Sequence, residues 1–224
     1  MEWLDYKSAF NLLRENYTAA ENIISNIFYE DAGDAASGVK YCETFYLWGY
    51  EVEFLKDEYA KFLEIDQKAE EILSSLEHDG TDYGKAHSIA RWMVDHIAYA
   101  YDHEGNPASQ HNTAYIALTK NEAVCDGYAK AFDFLCKKAG LESVYVSAKD
   151  LSHAWNMIRI NGKWYHVDVT WMDHDGMFYQ YFMMTDEICR ITGHSRWVYH
   201  WDQKNNLDVS PIADSDDLYM GDQG

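Results

Sequence analysis

Three residues have types and positions that would make them chemically useful to one another: Cys125, His153 and Asp168. A thiol attacks a carbonyl best as thiolate. An imidazole can take up the thiol proton and later deliver one to a leaving group. A carboxylate can orient the imidazole and offset its charge. Cys125 opens the stripe Cys125, Tyr128, Phe132, Leu135, Cys136 and Ala139, whose steps of three and four predict a helix over 125–138, with Gly140 suited to end it. A thiol in the first helical turn sits at the positive end of the macrodipole, among N–H groups without intrahelical partners. Both favour the thiolate, and the same N–H groups could stabilise an oxyanion. Cysteine is also a common small core residue. That reading suits Cys136, one turn deeper on the same face, and also Cys42 and Cys189.

His153 and Asp168 fall on either side of Asn161-Gly162, a strong two-residue hairpin signal between the runs 153–160 and 163–171. Such a turn pairs Ile160 with Lys163, and so sets Trp155 opposite Asp168 and His153 opposite Thr170. Side chains alternate along a strand, so His153 and Asp168 are expected on one face as diagonal partners, roughly 7–8 Å apart at the backbone. A slip of one residue would put them on opposite faces. Taken singly, either residue is most simply a surface or structural group; the joint placement is what points to chemistry.

The elements around these residues are readable from periodicity. Residues 3–28 form an amphipathic pattern, broken by DAGDAASG at 31–38. A second pattern runs over 41–76, helical in its later half and ambiguous between helix and strand in its aromatic first half. HDGTD at 78–82 stops one helix and starts the next, with Thr81 or Asp82 as N-cap. A helix is expected over 83–98, a loop over 101–122, and strands over 143–148, 153–160 and 163–171. Helices followed by a run of strands indicate an α+β chain. The N-terminal helical region is set at 1–80 and the catalytic core at 81–224.

Composition narrows the function classes. The 224 residues are 47% hydrophobic and carry a formal net charge of −20. An acidic surface repels nucleic acid and favours cationic or lysine-bearing partners, though simple solubility also accounts for it. The four cysteines are widely spaced and form no CxxC pair, so neither a zinc ribbon nor a dense disulfide framework is expected. The start MEWLDYKSAF lacks the basic and apolar regions of a signal peptide, and no apolar run is long enough for a membrane span. The compartment stays open: cytoplasmic by default, exported if a leader has been removed.

The blocks Val124-Cys125-Asp126-Gly127-Tyr128-Ala129, His153-Ala154-Trp155-Asn156 and Trp164-Tyr165-His166-Val167-Asp168-Val169-Thr170-Trp171 together resemble the core of bacterial transglutaminase-like proteins. The upstream AHSIARWMVDHIAYAYD and NTAYIALTK segments and the tail YFMMTDEICRITGH extend the resemblance to about 83–215. It implies a papain-like transglutaminase core, a nucleophile helix packed on a small antiparallel sheet. It also implies Cys125, His153 and Asp168 as catalytic residues and Tyr115 as a contributor to the oxyanion hole. No cofactor is implied. The expected activity is cysteine-dependent hydrolysis or acyl transfer at amide bonds of peptides or proteins through a thioester, with hydrolysis favoured because nothing marks a lysine-binding tunnel. The alternative is a catalytically idle core that serves protein binding or scaffolding. This chain has Lys120-Asn121-Glu122 where the family often has a glycine before the cysteine block.

Weaker signals remain. Asp173-His174-Asp175-Gly176 has the flavour of a calcium loop without the closing glutamate. His166, Asp168 and His174 would need further convergent ligands to hold zinc, so no metal is expected. Trp155, Trp164 and Trp171 could line an acyl-binding cleft or simply pack the sheet; the hairpin register favours Trp155 for the cleft because it shares the His153–Asp168 face, with Trp171 as the second candidate.

Overall fold

A computed structural model describes residues 49–148, 150–174, 176–200 and 211–221, with side chains described from residue 60 onward except at 199–200. The expected helix at 3–28, the ambiguous start of the second segment and Cys42 lie outside the described residues. The chain divides into two compact units, Met1–Gln67 and Lys68–Gly224. The sequence sets that division at the 78–82 break. Helix α1 (Gly49–Ser75) runs across the boundary, and its last turns belong to the second unit.

Within the second unit, α2 (Asp82–His96) starts where Thr81 accepts a hydrogen bond from the Gly84 N–H, one of the two N-caps the sequence offers. It buries Ala86, Ile89, Ala90 and Met93, the expected apolar stripe. Strand β1 (Ala98–Tyr99) follows and pairs in parallel with β2 (Glu122–Ala123). Between them, α3 (Ala114–Lys120) is capped by Thr113, which accepts from Ile116 N–H, and ends at Asn121 in the left-handed region at φ 58°. Residues 101–122 are therefore not all loop. Thr113 ahead of Ala-Tyr-Ile-Ala-Leu is a capping signal that the polar residues upstream outweighed in the sequence reading.

Helix α4 (Cys125–Lys138) has the bounds its stripe predicts. It ends as expected at Gly140, whose φ of 80° lets Leu141 N–H reach back to Cys136 O at 2.9 Å. Its inward face, with Tyr128, Phe132 and Leu135 fully buried, packs on strands β3 (Glu142–Ala148) and β4 (His153–Ile160). Those strands join β5 (Lys163–Val167) and β6 (Val198–His200) in an antiparallel sheet ordered β5-β4-β3-β6. The opposite face of the sheet supplies Val146, Ala148, Trp155 and Met157 to a second cluster with Met184, Cys189 and Ala213. Strand β4 is thus covered on both faces. Asn156, on the helix side, donates from Nδ2 to Ala129 O at 3.0 Å, while its buried Oδ1 has no hydrogen-bond partner.

The hairpin forms in the expected register, Ile160↔Lys163 through Asn156↔Val167. Asn161 and Gly162 both have positive φ, 52° and 84°, the signature of a type I′ turn. The pairing stops there. The sequence extends the second strand to Trp171, but Asp168 instead caps a four-residue helix, α5 (Val169–Met172), by accepting from Trp171 N–H at 3.1 Å. The pairs Trp155–Asp168 and His153–Thr170 therefore do not form. A 3-10 turn (Phe178–Tyr181) and helix α6 (Asp186–Ile191) complete the described unit. The result is the α+β arrangement expected: a helix beginning at the cysteine and packed on a small antiparallel sheet. No helix among the described residues is long and apolar enough to cross a membrane.

Candidate active site

The site lies where the start of α4 meets the start of β4. Val124, the N-cap residue of α4, makes no side-chain cap hydrogen bond, while Asp126 in the first turn accepts from the Tyr145 hydroxyl. Val124 N–H is held instead by His111 O at 2.9 Å, which ties the helix start to the preceding loop. Cys125 is half-buried. Its Sγ lies 3.9 Å from Ser152 O, the carbonyl just before His153. Ser152 sits in the left-handed region at φ 48°, and this turn brings the chain into β4 with His153 as its first residue.

Asp168 reaches His153 because the strand ends. Capping α5 turns the Asp168 side chain across the end of the sheet, and Oδ2 accepts from His153 Nε2 at 2.6 Å. This is a direct, charge-assisted hydrogen bond rather than the looser diagonal of an extended ladder. With Nε2 committed to Asp168, Nδ1 is the ring nitrogen available to the thiol. Burial pulls the His153 pKa down, but the Asp168 charge, the hydrogen bond to Asp168 and the nearby Cys125 together raise it to about 10. Burial works in the opposite sense on Asp168, pushing its pKa up. The His153 charge and the hydrogen bonds it accepts from His153 and His194 hold it at about 2. The geometry therefore favours an imidazolium–carboxylate pair beside a thiol.

Two indoles flank His153. The Trp171 ring stacks on it at 5.0 Å between centroids and Trp155 at 5.9 Å. Trp171 is half-buried, but Trp155 is only 1% exposed. Trp155 therefore does not line an open cleft, as the register argument suggested. It backs His153, and its own N–H donates to His166 Nδ1 at 3.0 Å. His166 in turn donates from Nε2 to Asp186 at 3.0 Å. His166 is committed there while Asp168 faces His153, so the pair does not converge on a shared zinc position.

Tyr115 occupies the first turn of α3 and is half-buried. Another phenol, Tyr99 of β1, lies near Cys125: burial, and then the charge of Cys125, raise its pKa. Sequence reading did not single out Tyr99. A tyrosine in an AYAYD stretch carries no local signal, and only the β1–β2 pairing brings it to the cysteine. A second missed residue is His194, fully buried, whose Nε2 lies 2.8 Å from the same Asp168 Oδ2. The ITGH ending of the quoted tail contains it, but nothing in its spacing links it to Asp168.

Among the described residues, His153, Asp168 and His194 are the group whose potential metal-ligand atoms converge, all within 4.8 Å of one another. Their N···O separations of 2.6 and 2.8 Å are those of hydrogen bonds. Ligand atoms about 2.0–2.2 Å from a tetrahedral zinc stand roughly 3.3 Å apart. The cluster is hydrogen-bonded as it stands. The other described cysteines are fully enclosed, and burial raises the pKa of both Cys136 and Cys189 well above the ordinary thiol range.

The family model of the transglutaminase-like superfamily core matches residues 67–169. Kyphoscoliosis peptidase of Homo sapiens is 27% identical over 130 residues, 51% of this chain and 20% of that protein. Its Mus musculus counterpart is 28% identical over 116 residues, 45% of this chain and 18% of that protein. The chain thus spans about a fifth of the length of these curated relatives. A solved transglutaminase structure aligns with a TM-score of 0.44 at 17% identity, covering 58% of this chain and 38% of the other. The matched residues 67–169 hold Cys125, His153 and Asp168, so the candidate site lies within the part of the chain that is similar to the transglutaminase-like superfamily core.

Proposed function

We propose that this protein is a cysteine-dependent hydrolase acting on amide bonds of peptides or proteins, with Cys125 as nucleophile, His153 as acid–base and Asp168 as the group that orients His153. The observation that carries the reading is the buried His153–Asp168 hydrogen bond at 2.6 Å beside a thiol at an uncapped helix start. In the proposed cycle the thiol proton already rests on His153 Nδ1, and the Cys125 thiolate adds to the substrate carbonyl carbon. The tetrahedral oxyanion is met by the Cys125 backbone N–H. Tyr99, which lies near Cys125, and Tyr115 are the candidates to share the oxyanion. The protonated His153 then gives its proton to the departing amine, leaving a thioester. Water, deprotonated by His153, attacks the thioester, and the acid product leaves with Cys125 restored.

Asp168 keeps Nε2 protonated throughout and offsets the imidazolium charge. Trp171, half-buried against His153, is the apolar surface proposed to receive the acyl side chain. The net charge of −20 suits cationic or lysine-bearing substrates. The two curated relatives are named as peptidases, which favours water over an amine as acceptor.

The first test needs no substrate. Iodoacetamide at neutral pH, read by intact mass and peptide mapping, is expected to modify Cys125 selectively, and His153→Ala is expected to abolish that selectivity. A Cys125 that labels no faster than a thiol in an unfolded peptide would overturn the proposal. A peptide-library screen with and without a primary amine then separates hydrolysis from transamidation, since only the latter consumes the amine.

A further inference from the structure

His194 is a buried histidine that the proposed cycle does not use. It is delivered by the end of α6: Gly193, at φ 108°, lets His194 N–H reach Cys189 O at 3.0 Å, closing the helix in a Schellman-type turn. The turn sets the imidazole between two indoles, 4.7 Å from Trp155 edge-on and 4.2 Å from Trp171. Its Nε2 lies 2.8 Å from Asp168 Oδ2, the oxygen already bound by His153. Nδ1 is buried and has no hydrogen-bond partner.

These facts select one form of the ring. A nitrogen facing an ionised carboxylate oxygen must carry the hydrogen, so Nε2 is the donor. Protonating Nδ1 as well would bury an unpaired N–H and put a second cation 5.9 Å from the His153 ring. Neutral His194 with hydrogen on Nε2 avoids both. The other titratable groups that face it are His153 on β4, Asp168 at the α5 cap, His166 on β5, Tyr181 on the 3-10 turn at 6.1 Å between ring centroids and, through Asp168, Cys189 on α6.

We propose that His194 is a positioning residue: as a neutral Nε2–H donor it occupies one lone pair of Asp168 Oδ2 and so locks the carboxylate in the orientation that holds His153. Asp168 is then fixed from three sides, by His153 and His194 at Oδ2 and by Trp171 N–H at Oδ1. Without His194, a fully buried carboxylate would depend on His153 and one backbone donor, and could rotate Oδ2 away from the imidazole. The inference rests on the Cys125–His153–Asp168 reading and adds a fourth member to it.

The test compares Cys125 alkylation rates at pH 7 in wild type, His194→Phe and His194→Gln. Phenylalanine keeps the ring packing between the tryptophans and removes the donor. Glutamine carries an N–H at a similar reach. His194→Phe is expected to slow alkylation on the order of tenfold, the loss expected for one hydrogen bond to a charged group, and His194→Gln to recover most of the rate. A role in packing alone gives the reverse ranking, with Phe the milder change. Wild-type alkylation in His194→Phe would overturn the proposal.

Should His194→Phe fail to fold, ring ¹⁵N shifts of the wild-type protein decide instead. The proposal expects His194 neutral with hydrogen on Nε2 at pH 7, and a charged ring or hydrogen on Nδ1 would overturn it. The two readings fail separately. An unreactive wild-type Cys125 defeats the proposed function. A reactive, His153-dependent Cys125 that is indifferent to His194→Phe defeats only this inference.

Discussion

Gly127→Ala separates local propensity from tertiary packing at the start of the cysteine's helix. Gly127 is the third residue of α4, two positions after Cys125, and is buried. In an isolated helix, alanine would be favoured by up to about 1 kcal/mol. Here a Cβ would lie 2.6 Å from His111 O and 2.9 Å from the Ala123 Cβ, both closer than such contacts tolerate. Neither obstacle is a flexible side-chain tip. His111 O is also the acceptor that holds Val124 N–H at 2.9 Å, so making room strains or breaks that bond.

Overpacking of this kind costs about 1–3 kcal/mol, and losing the hydrogen bond adds about 1. After the propensity gain, the net destabilisation is about 2 kcal/mol, a Tm decrease of roughly 4–8 °C for a chain of this size. Thermal unfolding followed by circular dichroism measures it. Because the relief moves the first turn of α4, the alkylation rate of Cys125 is expected to fall as well. A Gly127→Ala protein with a Tm equal to or above wild type would refute the steric reasoning.

Three further outcomes follow from the geometry around His153. His153 has its pKa raised from 6.5 to about 10, so its contribution to stability is complete below pH 6.5 and is lost as the pH rises through 10. The difference in unfolding free energy between wild type and His153→Gln should therefore decline from pH 6.5 to 10, by at most about 1.4 kcal/mol per pH unit; a flat difference would contradict the pairing. Asp168 is held at about 2, below 3.8, so its contribution is present above pH 3.8 and lost as the pH falls through 2. Trp155→Phe keeps most of the buried ring but leaves His166 Nδ1 without its donor, and should destabilise by about 1–3 kcal/mol in denaturant titration, while Trp164→Phe, at a half-buried position, should cost less.

What was legible in the sequence was mostly local. The bounds of α4 were readable because an apolar stripe ended at a glycine with a helix-terminating role. The hairpin register was readable because Asn161-Gly162 admits few turns. The end of β5 was not readable: Val-Asp-Val-Thr-Trp alternates like a strand and is rich in β-branched residues, yet tertiary contacts turn it into a capped helical turn. The expectation that His153 and Asp168 share a face thus led to a correct pairing by a different route, a carboxylate at a helix cap rather than a diagonal across a ladder. Tyr99 and His194 reach the site through pairings of residues 24 or more apart, and no local pattern encodes such distances.

The tryptophan pair around His153 has an optical consequence. A protonated imidazole accepts an electron from an excited indole and quenches its emission, whereas a neutral imidazole does so weakly. His153 lies nearly parallel to both Trp155 and Trp171, with ring planes inclined by 21° and 20°. The site therefore carries its own reporter. Its emission should brighten as His153 loses its proton, so that titration could be followed in unlabelled protein by light alone.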